Sequence, residues 1–135
     1  MNEPSIRHLG VADVVALHGF IMDKLGWAVA PLRDEGLLES AVMRARMAYH
    51  YEGTDIVRQA TLLAIGISQA QAFIDGNKRA AYICTETFLD INGHEFTGVP
   101  LELAQQLEEV ASRDDSLDAA TDRFEGWLRE RVTLR

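Results

Sequence analysis

Residues 71–79 read Gln-Ala-Phe-Ile-Asp-Gly-Asn-Lys-Arg, a polar interruption between two segments of apolar periodicity. The start of a helix presents unpaired N–H groups and a partial positive charge, and a glycine there lets an anion approach the main chain closely. Gly76 and Asn77 stand at such a start and could form an anion nest. Lys78 and Arg79 add two cations at the same end, where they oppose the helix dipole unless an anionic ligand is present. Asp75 contributes one hard carboxylate, too few ligands for an all-protein metal cage but suited to holding Mg²⁺ together with phosphate oxygens and water. These residue types point to a magnesium nucleotide. An ordinary turn between helices is the competing reading, because Asp-Gly-Asn is common turn chemistry and Lys-Arg is common on solvated surfaces.

Helices flank this segment. Val14, Leu17, Ile21 and Leu25 recur at steps of three and four and predict a first helix over 11–25, stopped by Gly26. A shorter second helix is expected over 36–46, with Leu37, Leu38 and Ala41 on one side. Thr54 is placed to cap a third, whose face of Ile56, Ala60, Leu63, Ile67 and Ala70 makes it the most buried candidate. Ala81, Cys84, Phe88 and Ile91 define a fourth, ended by Gly93. Pro100 suits the first turn of a fifth carrying Leu103, Leu107 and Val110; Ser116 caps a sixth that runs through Leu117, Ala120, Phe124 and Leu128 to Val132. Only 94–97 looks extended. The expected architecture is an all-α bundle of about six helices with a short hairpin or flap, one domain over 1–135.

Composition narrows the partners. Thirteen Lys and Arg face 21 Asp and Glu, and the resulting charge of -8 opposes attraction to phosphate backbones and anionic lipid. The lone Cys84 has no partner for an internal disulfide and reads as a small core residue in a reducing compartment. Residues 1–10 lack a basic stretch followed by an apolar one, and no run nears the ~18 apolar residues of a membrane span, so a cytoplasmic protein is expected.

The run from Phe73 through Arg79 resembles the signature of the Fic/Doc family, His-x-Phe-x-(Asp/Glu/Asn)-(Gly/Ala)-Asn-(Lys/Gly)-Arg, at seven consecutive positions. Residues 33–41 upstream and 88–93 downstream are also similar to the Doc-type branch. Adenylyl-transferring members usually carry glycine where this chain has Lys78, whereas Doc-type members, which transfer a phosphoryl group, usually carry lysine. The resemblance implies a Fic/Doc bundle that uses ATP and Mg²⁺ to modify a hydroxyl of a target protein, and a cognate antitoxin that restrains it. For the Doc-type branch the implied target is elongation factor Tu of the translation machinery. Position by position, it assigns Asp75 to Mg²⁺, Gly76 and Asn77 to the phosphate nest, Lys78 and Arg79 to the nucleotide phosphates, and Phe73 to a core anchor. Arg79 and Gln71 would occupy the catalytic positions. The region 45–55, with Tyr49 and Tyr51, corresponds to the family's flap beside the active site; two tyrosines packing on the bundle is the alternative.

Gln71 is a departure, standing where the family has its general-base histidine. A carboxamide holds a hydroxyl by hydrogen bonds but has no pKa near neutrality with which to take its proton. Loss of a general base costs about 10²–10⁴ in rate. The glutamine is an introduced change that disarms a toxic protein, the mark of a natural pseudoenzyme, or compensated by another base; Asp75, His18, His50 and His94 are the candidates for the last. Adenylyl transfer and a non-catalytic module that binds antitoxin or target remain alternatives to phosphoryl transfer. Thr121 through Gly126 also match the loose form of the inhibitory helix of some Fic proteins, in which Glu125 would pair with Arg79.

Overall fold

The computed structural model describes residues 6–28 and 31–135. Of the stretch read for a leader, residues 1–5 lie outside the described residues. Six helices follow in order, α1 (Val11–Lys24), α2 (Glu35–Glu52), α3 (Ile56–Ala70), α4 (Asn77–Ile91), α5 (Pro100–Ala111) and α6 (Leu117–Arg129), with two short strands, β1 (His94–Phe96) and β2 (Val132–Leu134). Among the described residues no helix is long and apolar enough to cross a membrane.

The interior is organised around α3, which packs against α2, α4, α5 and α6. Ten of its 15 residues are buried, several of them small, so neighbours approach from nearly every side. At Gly66 an added Cβ would lie 3.3 Å from both the Cβ and the carbonyl oxygen of Ala41, which is how closely α2 and α3 pack. Phe88 and Leu89 of α4, Leu103 and Leu107 of α5, and Phe124 and Leu128 of α6 complete the core. Cys84 is buried among them, and burial pushes its thiol up to about 12, so it acts as a small apolar residue.

Several elements differ from their sequence expectation. The second helix is the longest, not a short one, running to Glu52 before Gly53 ends it in the left-handed conformation. Asp55 rather than Thr54 caps α3, its carboxylate accepting from Arg58 N at 2.9 Å; the Thr54 hydroxyl is buried without a hydrogen-bond partner. The expected hairpin is instead a pairing between distant segments. Here β1 lies antiparallel to β2 with Phe96 opposite Val132 and His94 opposite Leu134, and α5 and α6 intervene. Val132 therefore leaves α6, because Val-Thr-Leu finds an open strand edge just past the helix end.

On α1 the buried face is Val14, His18 and Met22, one step round from the apolar stripe in the sequence. The displaced residues Ile21 and Leu25 face an open cleft instead.

Candidate functional site

The loop between α3 and α4 is built to hold a fixed shape. Where α3 ends, Gln71 adopts φ 52° and ψ 38°, and it is the sole non-glycine at positive φ among the described residues. A side chain there costs about 1–2 kcal/mol relative to right-handed backbone, so the surroundings must impose it. Arg33 supplies one restraint: its Nε donates to the Gln71 carbonyl at 3.0 Å and its Nη2 donates to the same oxygen. The main chain adds another, since the N–H groups of Arg33 and Asp34 both donate to the Ala72 carbonyl and Leu32 stands antiparallel to Phe73. The loop is thus strapped to the extended segment that leads into α2.

Inside the loop, Asn77 acts as a brace. Its Oδ1 accepts from Phe73 N at 3.1 Å, and its Nδ2 donates to the Phe73 carbonyl at 2.9 Å, so the buried amide stands in for a second strand. The far end of the loop rests on α1. His18, buried, stacks on Phe73 with ring centroids 3.8 Å apart and an interplanar angle of 12°. Its Nε2 lies 2.9 Å from the Asp75 carbonyl. A carbonyl only accepts, so Nε2 carries the hydrogen. Gly76, at φ 80°, packs directly on this support; an added Cβ would sit 2.7 Å from Met22 Sδ and 3.0 Å from His18 Nε2.

What the loop frames is a cleft of about 630 Å³. Its lining is polar at Gln71, Asp75, Asn77, Lys78 and Arg79 and apolar at Ile21, Leu25, Trp27, Ile74, Pro100 and Leu101, with Tyr82 adding a ring and a hydroxyl. All six residues singled out from the sequence, Gln71, Asp75, Gly76, Asn77, Lys78 and Arg79, line this cleft. The start of α4 has no side-chain cap and no acid in its first turn.

Two expectations about these groups change. Lys78 and Arg79 are not bare cations: Lys78 forms an ion pair with Glu108 of α5, and the Arg79 guanidinium lies over the Trp27 ring, 4.2 Å from its centroid. Such an exposed cation–π contact is worth about 0.5–1 kcal/mol, which offsets part of the cost of placing cations at this helix end. Among the described residues no carboxylate pairs with Arg79. The second change concerns the nest, because the Asn77 side chain is spent on Phe73 and the Gly76 N–H donates to Asp75 Oδ1 at 2.8 Å. An anion entering here would have to displace that carboxylate from the Gly76 amide.

Gln71 holds Ser68 O with its Nε2 at 2.9 Å, and its Oε1 receives a long 3.4 Å contact from Asn77 Nδ2. Its side chain is tied to the rim of the cleft. Of the histidines considered as replacement bases, His18 lies beneath the loop with Nε2 committed, and none lines the cleft among the described residues. Tyr82 does line it, but burial and the adjacent Glu86 carboxylate, which accepts its hydroxyl at 2.6 Å, push the phenol well above its ordinary range. It remains a protonated donor at neutral pH.

Similarity to known proteins falls on this same part of the chain. Residues 8–89 match the model of the Fic/DOC family. The chain belongs to the Fic/Doc family. The Toxin Doc of Mycolicibacterium smegmatis is 34% identical over 102 residues, covering 71% of this chain and 77% of that protein. Fic/Doc proteins use a nucleotide substrate, and the cleft at the start of α4 is where the family signature of this chain stands.

Two further Fic/Doc assignments do not survive the structure. Of residues 45–55, expected in a flap, 45–52 are the last turns of α2 and 53–55 join it to the beginning of α3. Tyr51 is exposed, while Tyr49 packs edge-on against His50 and near His8. The segment that lies against the signature loop is 31–34. Glu125 does not reach Arg79. It accepts from Arg58 Nη1 at 2.9 Å and from Arg129 Nη2 at 2.8 Å, at the start of α3, which is about 21 Å long at 1.5 Å per residue. A lone pattern of loose spacing carried no information on which arginine would be nearest.

Sequence reasoning gave no role to Trp27 or Tyr82, named Arg33 only within the segment similar to the Doc-type branch, and read Ile21 and Leu25 only as part of the periodicity of the first helix. Nothing in the local spelling marks an arginine that reaches a carbonyl 38 positions away. The excess of apolar residues on α1, wider than one buried stripe, was the available signal for a second apolar surface.

Proposed function

We propose that this chain is a Doc-like toxin, a single Fic/Doc domain over 1–135, whose ancestral reaction transfers the γ-phosphoryl group of ATP to a hydroxyl of a translation factor of the elongation factor Tu type. As it stands, with Gln71, transfer is strongly impaired. The observation that carries this reading is the cleft itself, in which Lys78, Arg79 and the start of α4, which has no side-chain cap, share a volume suited to a nucleotide with apolar residues, Trp27 lying directly against Arg79. Polyphosphate belongs against the cations, and the base and sugar against Ile21, Leu25, Trp27 and Leu101.

The residues also fit a shared Mg²⁺. Among the described residues Asp75 is the one carboxylate lining the cleft, and no group of three or more His, Cys, Asp or Glu is placed to hold a metal. Asp75 would therefore hold the ion only together with phosphate oxygens. When bound, Mg²⁺ neutralises charge on those oxygens. Lys78 and Arg79 orient the phosphates and spread their charge, with Lys78 released from Glu108 to do so. In transfer the acceptor oxygen bonds to the γ-phosphorus, the bond from that phosphorus to the β,γ-bridging oxygen breaks, ADP leaves, and the hydroxyl proton must go to a base. Gln71 orients the hydroxyl through its amide but leaves the proton in place.

The lysine at 78 favours phosphoryl over adenylyl transfer by resemblance to the Doc-type branch. The named relative is a toxin, and a cognate antitoxin is the partner implied for this chain, in a cytoplasmic setting. Incubate the Gln71→His form with candidate translation factors and ATP labelled at the γ- or the α-phosphate. Label transferred from the γ position, at a rate about 10²–10⁴ above the Gln71 chain, is expected. Transfer of α-label would replace the reaction with adenylylation, and equal turnover of the two forms would remove the role given to position 71.

A further inference from the structure

We propose that Arg33 is the positioning residue for the side chain at 71, holding that residue in its left-handed conformation so that it faces the cleft. The inference rests on the reading that position 71 meets the acceptor hydroxyl. Its physical basis is independent of that reading. Residue 71 is the sole non-glycine at positive φ among the described residues, and an unrestrained side chain prefers to leave that region. A turn of φ at 71 would swing both its Cβ and its carbonyl. The carbonyl is the group Arg33 grips, with Nε at 3.0 Å and Nη2 on the same oxygen.

Three features make the grip a fixture. The two donors of one planar guanidinium converge on one acceptor, which sets direction as well as distance. The carbonyl lies at the C-terminal end of α3, where the helix dipole favours a cation. Arg33 itself is tethered, because its own N–H and that of Asp34 donate to Ala72 O and the neighbouring Leu32 bridges to Phe73. The remainder of the loop is held by other groups, His18 on the Asp75 carbonyl and Asn77 on Phe73. Loss of Arg33 is therefore felt at 71 and not at Asp75 or Gly76.

Lysine keeps the charge but offers a single compact ammonium, so Arg33→Lys separates geometry from electrostatics. In isotopically labelled protein, positive φ gives an intense amide-to-Hα cross-peak within residue 71. We expect it to weaken in Arg33→Lys and more so in Arg33→Gln, while the corresponding peaks of Asp75 and Gly76 stay as they were. In the Gln71→His background, adding Arg33→Lys should lower kcat by about tenfold or more with KM for ATP changed less than about twofold. A cross-peak that survives Arg33→Lys and Arg33→Gln overturns the proposal. So does a weakened cross-peak with unchanged kcat. Should Gln71→His transfer no phosphate at all, the functional reading falls, and the spectrum alone decides whether Arg33 holds the conformation at 71. If Arg33→Gln does not fold, Arg33→Lys carries both measurements.

Discussion

Replacing Gly76 by alanine tests the support under the loop. Two costs arise, and the structure separates them. Alanine at φ 80° carries the left-handed penalty of about 1–2 kcal/mol. The new methyl would also lie 2.7 Å from Met22 Sδ and 3.0 Å from His18 Nε2. Methionine is flexible and yields cheaply. His18 does not, being buried, stacked on Phe73 and bonded to the Asp75 carbonyl, so moving it forfeits a hydrogen bond worth about 1 kcal/mol along with ring packing. With the general cost of overpacking at about 1–3 kcal/mol, Gly76→Ala should destabilise by about 2–5 kcal/mol. Gly53→Ala is the control, since Gly53 has φ 64° but nothing within 4 Å of its added Cβ, and it should cost only about 1–2 kcal/mol. Urea unfolding of the two variants and the parent, compared at equal m-value, reads the difference. If Gly76→Ala costs no more than Gly53→Ala, His18 and Met22 do not support the loop as described.

Other consequences are simpler to test. Glu108→Gln frees Lys78 from its exposed ion pair; stability should change by under about 1 kcal/mol, while ATP affinity by calorimetry rises roughly two- to fivefold as a like charge leaves the phosphate site. Glu125→Gln should leave ATP affinity unchanged, because its partners are Arg58 and Arg129, and should lower stability by roughly 1 kcal/mol in chemical denaturation. Asp55 pairs with Arg129, whose hydrogen bonds hold the carboxyl below its ordinary 3.8. Its contribution is present above that value and lost as pH falls through the lower folded value. Asp55→Asn keeps the α3 cap but not the charge, so its deficit against the parent, under about 1 kcal/mol at pH 7, should shrink in unfolding curves as pH falls below 3.8 and on through the lowered folded value.

Sequence pattern revealed the helices because long apolar periods and strong stop signals agree: Pro100, Ser116, Gly93 and Gly76 mark the ends they were expected to mark. It failed where a choice depended on a distant partner. Thr54 and Asp55 are both good caps, and the packing of α6, which brings Arg129 to Asp55, goes with the aspartate as cap. Val132 belongs to a strand only because β1 is there to receive it. At the cleft, consecutive residues were legible as a unit, since a helix start determines what its first turn presents. Trp27, Tyr82 and Arg33 were not, being delivered by other elements whose relative placement no local spelling encodes. The second apolar face of α1 was visible but ambiguous, because Ile21 and Leu25 look alike whether they fill a core or line a binding wall.

A nucleotide site at the start of α4 is tested most directly by ATP binding. Titrate MgATP into the Gln71 chain with Trp127→Phe, so that Trp27 is its one tryptophan, following heat and emission, with Arg79→Ala alongside. Saturable binding at one site per chain is expected, with a change in Trp27 emission and a roughly tenfold or greater loss of affinity in Arg79→Ala from the missing charged hydrogen bonds. A folded chain that takes up no ATP at millimolar concentration, or binds it equally well without Arg79, would contradict the account.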